Sequence, residues 1–217
     1  IKRSRLIDDV IVATTTSSKD DEIAYFCKQN KISYYRGSEH DVLNRIASVI
    51  RHYKIDIHVE FCGDSPLIDP QIIDEFVGFY LKNQTTYDYV SNSMKTTYPP
   101  GQEIAVYRGG VLSEVDKTLS AEDPLREHVG YNITRFPDKY NLASLKAPKW
   151  YHQPEVYLEV DTENDLQMIR QLIGYFVEKG VDHFTLSQIL DLLEKEPEII
   201  QINNKEVRRW KELRDCH

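Results

Sequence analysis

Three cysteines, two methionines and two tryptophans are few for 217 residues. Cys27, Cys62 and Cys216 stand far apart and are odd in number. That spacing excludes a zinc cluster and a disulfide framework. Reduced thiols, with no visible signal peptide, give the expectation of a cytoplasmic protein. No apolar run approaches the roughly 20 residues needed to span a bilayer, and the mean hydropathy of -0.51 agrees. No membrane insertion is therefore expected. Positive charge is also short: 27 basic residues face 35 acidic ones, for a net charge of -8. A nucleic-acid polymer is a poor partner for such a chain, because that affinity rests on neutralising phosphates. A small anionic substrate remains compatible, since a local site can be basic. GxGxxG, GxxxxGK[ST], HExxH and a nucleophile elbow are all missing.

What is present is 41% hydrophobic sequence in which strands alternate with helices, the signature of a parallel α/β sheet. "DVIVAT" (9–14), "ISYYRG" (32–37), "IDIHVEFCGD" (55–64) and "YDYVSN" (87–92) read as strands. Helices are expected over 20–31, with Ile23, Ala24, Phe26 and Cys27 inward, and over 41–54, with Val42, Ile46, Val49, Ile50 and Tyr53 on one side. Asp69 before Pro70 marks a third helix start. The block 95–150 is less regular and is expected to project. It holds a strand near 105, a short helix over 111–119, a helix over 124–136 and a strand over 140–145. "PEVYLEVD" (154–161) reads as a late strand. The helix over 162–180 carries a Thr162/Asp165 capping box and stops at Gly180. A last amphipathic helix covers 185–197, and the tail from Asn203 reads as polar surface.

Ligands of parallel α/β sheets bind beyond the carboxyl ends of the strands. Two such ends carry an aspartate, Asp64 in "CGDSPLID" and Asp161 in "LEVDTEND". Each has an ordinary alternative, as a turn residue or a helix cap. Each also has a neighbour that takes over that duty, Asp69 in one case and Thr162 with Asp165 in the other. Two carboxylates 4 Å apart would repel by roughly 4 kcal/mol at an effective dielectric of 20. A divalent cation removes that cost. Oxygen-only ligands without His or Cys favour Mg²⁺, shared with substrate phosphates. That donor set suits phosphoryl or nucleotidyl transfer. "YRGSEHDVLNR" (35–45) adds Arg36, Asp41 and Arg45 on what is equally well a solvated loop. His128 lies on a helix face, where a lone histidine is more often packed than catalytic.

The succession "IDDVIVATTTSSKDDEI", "YYRGSEHDVLNRI", "GDSPLIDPQIIDEF", "YPPGQEIAVY", "REHVGYNITRFP" and "EVDTENDLQMIR" resembles the cytidylyltransferases of the spore-coat polysaccharide type. These are relatives of the enzyme that makes the CMP-sugar of 3-deoxy-manno-octulosonate. The resemblance implies a three-layer, Rossmann-like nucleotide-diphospho-sugar transferase fold of the GT-A kind, in a single domain. It implies transfer of CMP from CTP to a sugar for surface polysaccharide synthesis, and a homodimer. Asp64 and Asp161 match the aspartates that hold Mg²⁺ in the octulosonate relatives. Arg36, Ser38, Asp41, Arg45 and Ser65 would then lie near the nucleotide, and Tyr98, Gln102, Glu103, Glu127 and His128 near the sugar. The family pattern opens with a strand and a Gly/Arg/Lys loop that cradles the CTP phosphates, and by that pattern this chain lacks both. Glu60 and Tyr157 stand where relatives often carry arginine, and Ala105 where an acid is usual.

A second reading follows from those departures: a non-catalytic descendant that binds nucleotide or serves as a subunit. A glycosyltransferase comes third, because no Asp-x-Asp triplet occurs.

Overall fold

The computed structural model describes residues 1–208 and 210. Within them the chain divides into two compact units. One comprises 1–61, 70–95 and 104–145; the other comprises 62–69, 96–103 and the chain from 146 onward. Cys216 and much of the tail expected to be polar surface lie outside the described residues. No described helix is long and apolar enough to cross a membrane.

The first unit holds all the strands described. β1 (Ile11–Thr15) and β2 (Ser33–Gly37) pair in parallel, joined through α1 (Asp21–Gln29). α2 (Val42–Tyr53) follows and packs on β1 and β2. A second sheet has the order β3-β5-β4-β6, formed by β3 (Ile57–Glu60), β4 (Tyr89–Ser91), β5 (Ala105–Arg108) and β6 (Leu142–Ser144). β4 and β6 are parallel, whereas β5 runs antiparallel to both of its neighbours. No helix intervenes between β4 and β5, so no crossover forces them parallel. β5 and β6 come from the block expected to project, yet both are built into the sheet. α3 (Pro70–Asn83) packs on β4 and β5. Together these elements make a Rossmann-like α/β arrangement.

Three expectations about this unit need correction. Ala24 and Cys27 are the buried residues of α1, while Ile23 and Phe26 are exposed. The buried positions of α2 are Leu43, Ala47, Val49 and Ile50, a stripe turned from the expected one. The segment 124–136 is not one helix. A 3₁₀ turn at Pro124–Glu127 is followed by the short α5 (Tyr131–Thr134). The Asn132 amide donates to the Leu125 and His128 carbonyls at 2.7 and 3.1 Å, taking acceptors that a continuous helix would use. The core of this unit combines Leu43 and Ile50 of α2, Tyr89 and Tyr107 of the sheet, Leu112 and Val115 of α4 (Gly109–Thr118), and Ile133.

The second unit is helical. α6 (Glu163–Glu178) starts at the expected Thr162/Asp165 capping box, and Gly180 just past its end has φ +70°. α7 (Leu186–Lys195) has a box of its own, Thr185 with Gln188. Met168, Leu172, Phe176, Leu186, Ile189 and Leu193 are buried. No strand forms over 154–161. The segment is held by single backbone bonds, Leu158 N–H to the Pro100 carbonyl at 2.7 Å and Val160 N–H to the Asp64 carbonyl at 2.9 Å. Two isolated bonds to different loops do not make a ladder. The tail is not all surface either: Asn203 and Arg208 are 1% and 4% exposed.

Candidate active site

Asp64 does not end a strand. β3 stops at Glu60, and Asp64 sits four residues on, in a turn closed by Ser65 N–H to the Cys62 carbonyl at 3.3 Å. Asp161 likewise precedes α6 from an irregular segment. What joins them is the second unit itself, since Val160, next to Asp161, donates its amide to the Asp64 carbonyl. Both aspartates are exposed. An Asp64 oxygen accepts the Ser65 hydroxyl at 3.0 Å. The Asp161 amide donates to Asp165 Oδ2 at 3.1 Å.

Two glutamates join this pair. Glu103 accepts the Gly101 amide at 2.7 Å. Burial pushes its carboxyl up to about 7, the Gly101 amide opposes the shift, and the Asp64 charge adds to it. Glu159 is also raised to about 7, chiefly by burial, then by the charges of Glu103 and Asp161, against a hydrogen bond from Trp210 and the charge of Arg208. Asp64, Glu103, Glu159 and Asp161 thus form a chain in which each carboxylate feels the next. Such a field favours a bound cation.

The donors are oxygens only, which suits a hard cation. Among the described residues, no group of three or more His, Cys, Asp or Glu side chains is arranged to hold a metal by itself. Mg²⁺ held by two carboxylates and completed by substrate phosphates and water asks for no more than Asp64 and Asp161. Asp64 and Asp161 supply oxygen donors of the kind that ion takes.

The turn and the Asp161 segment are braced from behind. Gly101 has φ +97° and lies against the Leu158 and Glu159 backbone. Gln102, fully buried, donates to the Leu67 carbonyl at 2.8 Å and accepts the Asp69 amide at 3.0 Å. The Asp69 carboxylate in turn accepts the Leu186 amide at 2.7 Å, at the start of α7. Asp165 is buried and accepts from Arg208 and Asn203 as well as from Thr162, the cap of α6. Nothing in the sequence pointed to Asn203, Arg208 or Trp210, because single residues so far along the chain carry no local signal. Glu159 was not singled out either, although its place two residues before Asp161 is a local signal.

The other expected site residues divide between the units. Ser65, Tyr98, Gln102 and Glu103 lie in the second with the aspartate pair. Tyr98 is buried, its ring 6.3 Å from that of Tyr151. Arg36, Ser38, Asp41, Arg45, Glu127 and His128 lie in the first. The Arg36 guanidinium donates to the Thr15 and Ser17 carbonyls, both at 2.7 Å, and pairs with Asp21 at 2.7 Å. Asp41 caps α2 through the Asn44 amide and pairs with buried Arg126 at 2.9 Å. Arg126 also meets Asp116 at 2.6 Å, and Asp116 meets Arg51 at 3.0 Å. Ser38 accepts the Asp41 amide, and its carbonyl accepts Arg45 at 2.5 Å. The His128 ring lies 6.2 Å from Tyr131. Arg36, Asp41 and Arg45 each have a partner in their own unit, a local role beside the one expected at the nucleotide.

A family model described as cytidylyltransferase matches residues 1–206 and so takes in both units. The chain is 33% identical to an uncharacterized protein of Methanocaldococcus jannaschii over 94% of this chain and 80% of that protein. It is 27% identical to the spore coat polysaccharide biosynthesis protein SpsF of Bacillus subtilis, over 88% of this chain and 77% of that protein. Among solved structures, a cytidylyltransferase from Leptospira borgpetersenii superposes with a TM-score of 0.85 at 28% identity, covering 96% of this chain and 84% of that one. A CMP:2-keto-3-deoxy-manno-octonic acid synthetase, solved with CTP, shares the fold at a TM-score of 0.54 and 14% identity, covering 80% of this chain and 84% of that one.

Proposed function

The chain belongs to the cytidylyltransferase family, and from that premise we propose that it transfers CMP from CTP to a sugar hydroxyl with Mg²⁺ held by Asp64 and Asp161. The hydroxyl oxygen bonds to the α-phosphorus as the bridge to the β-phosphate breaks. Pyrophosphate leaves and the hydroxyl proton is lost. Bound Mg²⁺ would supply charge neutralisation along the phosphates. Asp64 and Asp161 hold that ion, and the Val160 to Asp64 bond keeps their backbones together. Glu103 and Glu159, both raised to about 7, add negative charge beside them as pH rises through that value.

The observation that carries this reading is the Asp64 turn bonded to the segment bearing Asp161, inside a chain whose family model spans both. The product would be a CMP-activated sugar for surface polysaccharide, a use supported by the likeness to SpsF. Because CTP is an intracellular nucleotide, the reading carries a cytoplasmic location with it. It also keeps the expectation of a homodimer, which sedimentation equilibrium of the purified protein tests.

The test of function is pyrophosphate release from CTP and Mg²⁺ with a panel of candidate sugars. At least one sugar should support release, chelation should stop it, and Asp64→Asn or Asp161→Asn should lower it by at least about a hundredfold, the scale of losing one preorganised electrostatic contact. Release that survives both substitutions undiminished would remove the two aspartates from the mechanism. Absence of release with every sugar, together with no Mg²⁺-dependent thermal stabilisation by CTP, would favour a non-catalytic descendant.

A further inference from the structure

Arg208 and Asp161 are far apart in the chain, but a short series of bonds joins them. The Arg208 guanidinium donates from Nη1 and Nη2 to the two oxygens of Asp165 at 3.0 and 2.8 Å. Their side chains are 2% and 0% exposed. Asp165 Oδ2 accepts the amides of Asp161 and Thr162 at 3.1 and 2.9 Å. On the other side of Asp161, Glu159 Oε1 accepts the Trp210 indole N–H at 2.7 Å and lies 3.9 Å from Arg208 Nη1. Asn203 donates to the Tyr157 carbonyl at 3.1 Å and to Asp165 Oδ1 at 2.7 Å. The guanidinium carbon stands 4.0 Å from the centre of the Tyr157 ring. Arg208 and Asn203 therefore each tie residues on both flanks of Asp161, and Trp210 ties Glu159 on one.

A capping box alone does not require this. Thr162 and Asp165 would cap α6 on the protein surface without a cation. Here the carboxylate is fully buried, and burial requires partners for both of its oxygens. Arg208 supplies them, and its two-pronged donation fixes the plane of the carboxylate. That plane sets where the Asp161 and Thr162 amides point.

We propose that Arg208, assisted by Asn203 and Trp210, is a positioning residue for Asp161. It acts through Asp165 to hold the Asp161 backbone in the place needed to bind a divalent cation with CTP. The proposal rests on the reading that Asp161 holds the metal. Groups one step removed from a metal ligand commonly change metal affinity by about 10- to 100-fold when lost.

The test uses Mn²⁺ as the probe ion, titrated calorimetrically into the full chain saturated with CTP. A metal-free readout runs beside it, amide hydrogen exchange over residues 158–166. Asp161→Asn should weaken Mn²⁺ binding and so checks the underlying reading. Arg208→Met should weaken it by about tenfold or more and should speed exchange at the Asp161 and Thr162 amides more than within α7. Arg208→Lys restores charge without the two-pronged geometry and should recover part of the loss. Normal Mn²⁺ affinity in Asp161→Asn overturns the metal reading. Weakened binding in Asp161→Asn with wild-type affinity in Arg208→Met overturns the positioning role alone. Should Arg208→Met fail to fold, Trp210→Phe carries the test, because it keeps an aromatic ring, removes the indole donor to Glu159 and leaves the Arg208–Asp165 pair in place. It should weaken Mn²⁺ binding in the same direction, and unchanged affinity with unchanged exchange overturns the proposal.

Discussion

Gly101→Ala tests how tightly the turn carrying Glu103 is fitted against the segment carrying Asp161. Gly101 has φ +97°, outside the range that side-chain-bearing residues adopt readily. A methyl group there would meet the Leu158 carbonyl carbon at 2.6 Å, its oxygen at 2.7 Å and the Glu159 nitrogen at 2.8 Å. These are backbone atoms, so no side chain can swing aside. Forcing the backbone conformation costs about 1–3 kcal/mol. Relieving the overlap costs about as much again, as for other overpacked sites. Moving Leu158 away also strains its 2.7 Å bond to the Pro100 carbonyl, worth about 1 kcal/mol. The sum is about 3–7 kcal/mol, against a total stability of about 5–15 kcal/mol for a domain. Urea unfolding of wild type and variant measures it, and Mn²⁺ titration with CTP reports on the Asp161 segment. Gly180→Ala is the control, since Gly180 has a similar φ of +70° but open space around it. It should lose only about 1–2 kcal/mol, the cost of a left-handed residue. If Gly101→Ala loses no more than Gly180→Ala, the close approach of 101 to 158–159 does not hold in solution.

Burial lowers the pKa of His58 to about 4 from an ordinary value of 6.5. The unfolded chain therefore binds the extra proton first, and stability falls as pH drops from about 6.5 toward 4. The loss is about 3 kcal/mol at 1.36 kcal/mol per unit. His58→Gln should flatten that part of the pH–stability curve relative to wild type. The comparison with the variant is needed because Glu60, raised by burial against a 2.5 Å bond from Tyr107, titrates with the opposite sign. Arg126→Met should cost about 3–5 kcal/mol in urea unfolding, because it strips the buried cation from Asp41 and Asp116; a loss below 1 kcal/mol would mean that Arg51 and Asn44 suffice for Asp116. Thr185→Ala removes the cap that accepts the Gln188 amide and should cost about 1 kcal/mol with CTP binding unchanged, measured by thermal melting and a CTP titration.

The elements legible from local chemistry were those with their own start and stop signals. α6 carries a capping box and a terminal glycine, and it begins where those residues place it. β1, β2 and β4 are short runs rich in β-branched and aromatic residues between turns, which suffices to mark them. The segment 154–161 has the same composition and forms no strand, because strand formation needs a partner edge, which composition does not supply. The helix expected over 124–136 failed for a related reason. Asn132 satisfies carbonyls by a side-chain route that no periodicity reveals.

The candidate site divides in the same way. Asp64 and Asp161 stood out in the sequence because each had a neighbour better suited to cap or close its turn, a matter of residues one to five positions away. Local spacing also determined the α/β alternation and the family resemblance, which is a succession of short motifs in order. Only the tertiary structure decided that Glu103 and Glu159 share the field of the aspartate pair. It alone joined Asn203, Arg208 and Trp210 to the Asp161 segment. Their hydrogen bonds bridge some 40 to 50 positions of chain, and over such a span the pairing is set by which surfaces the packed core brings together, not by anything the intervening residues spell out.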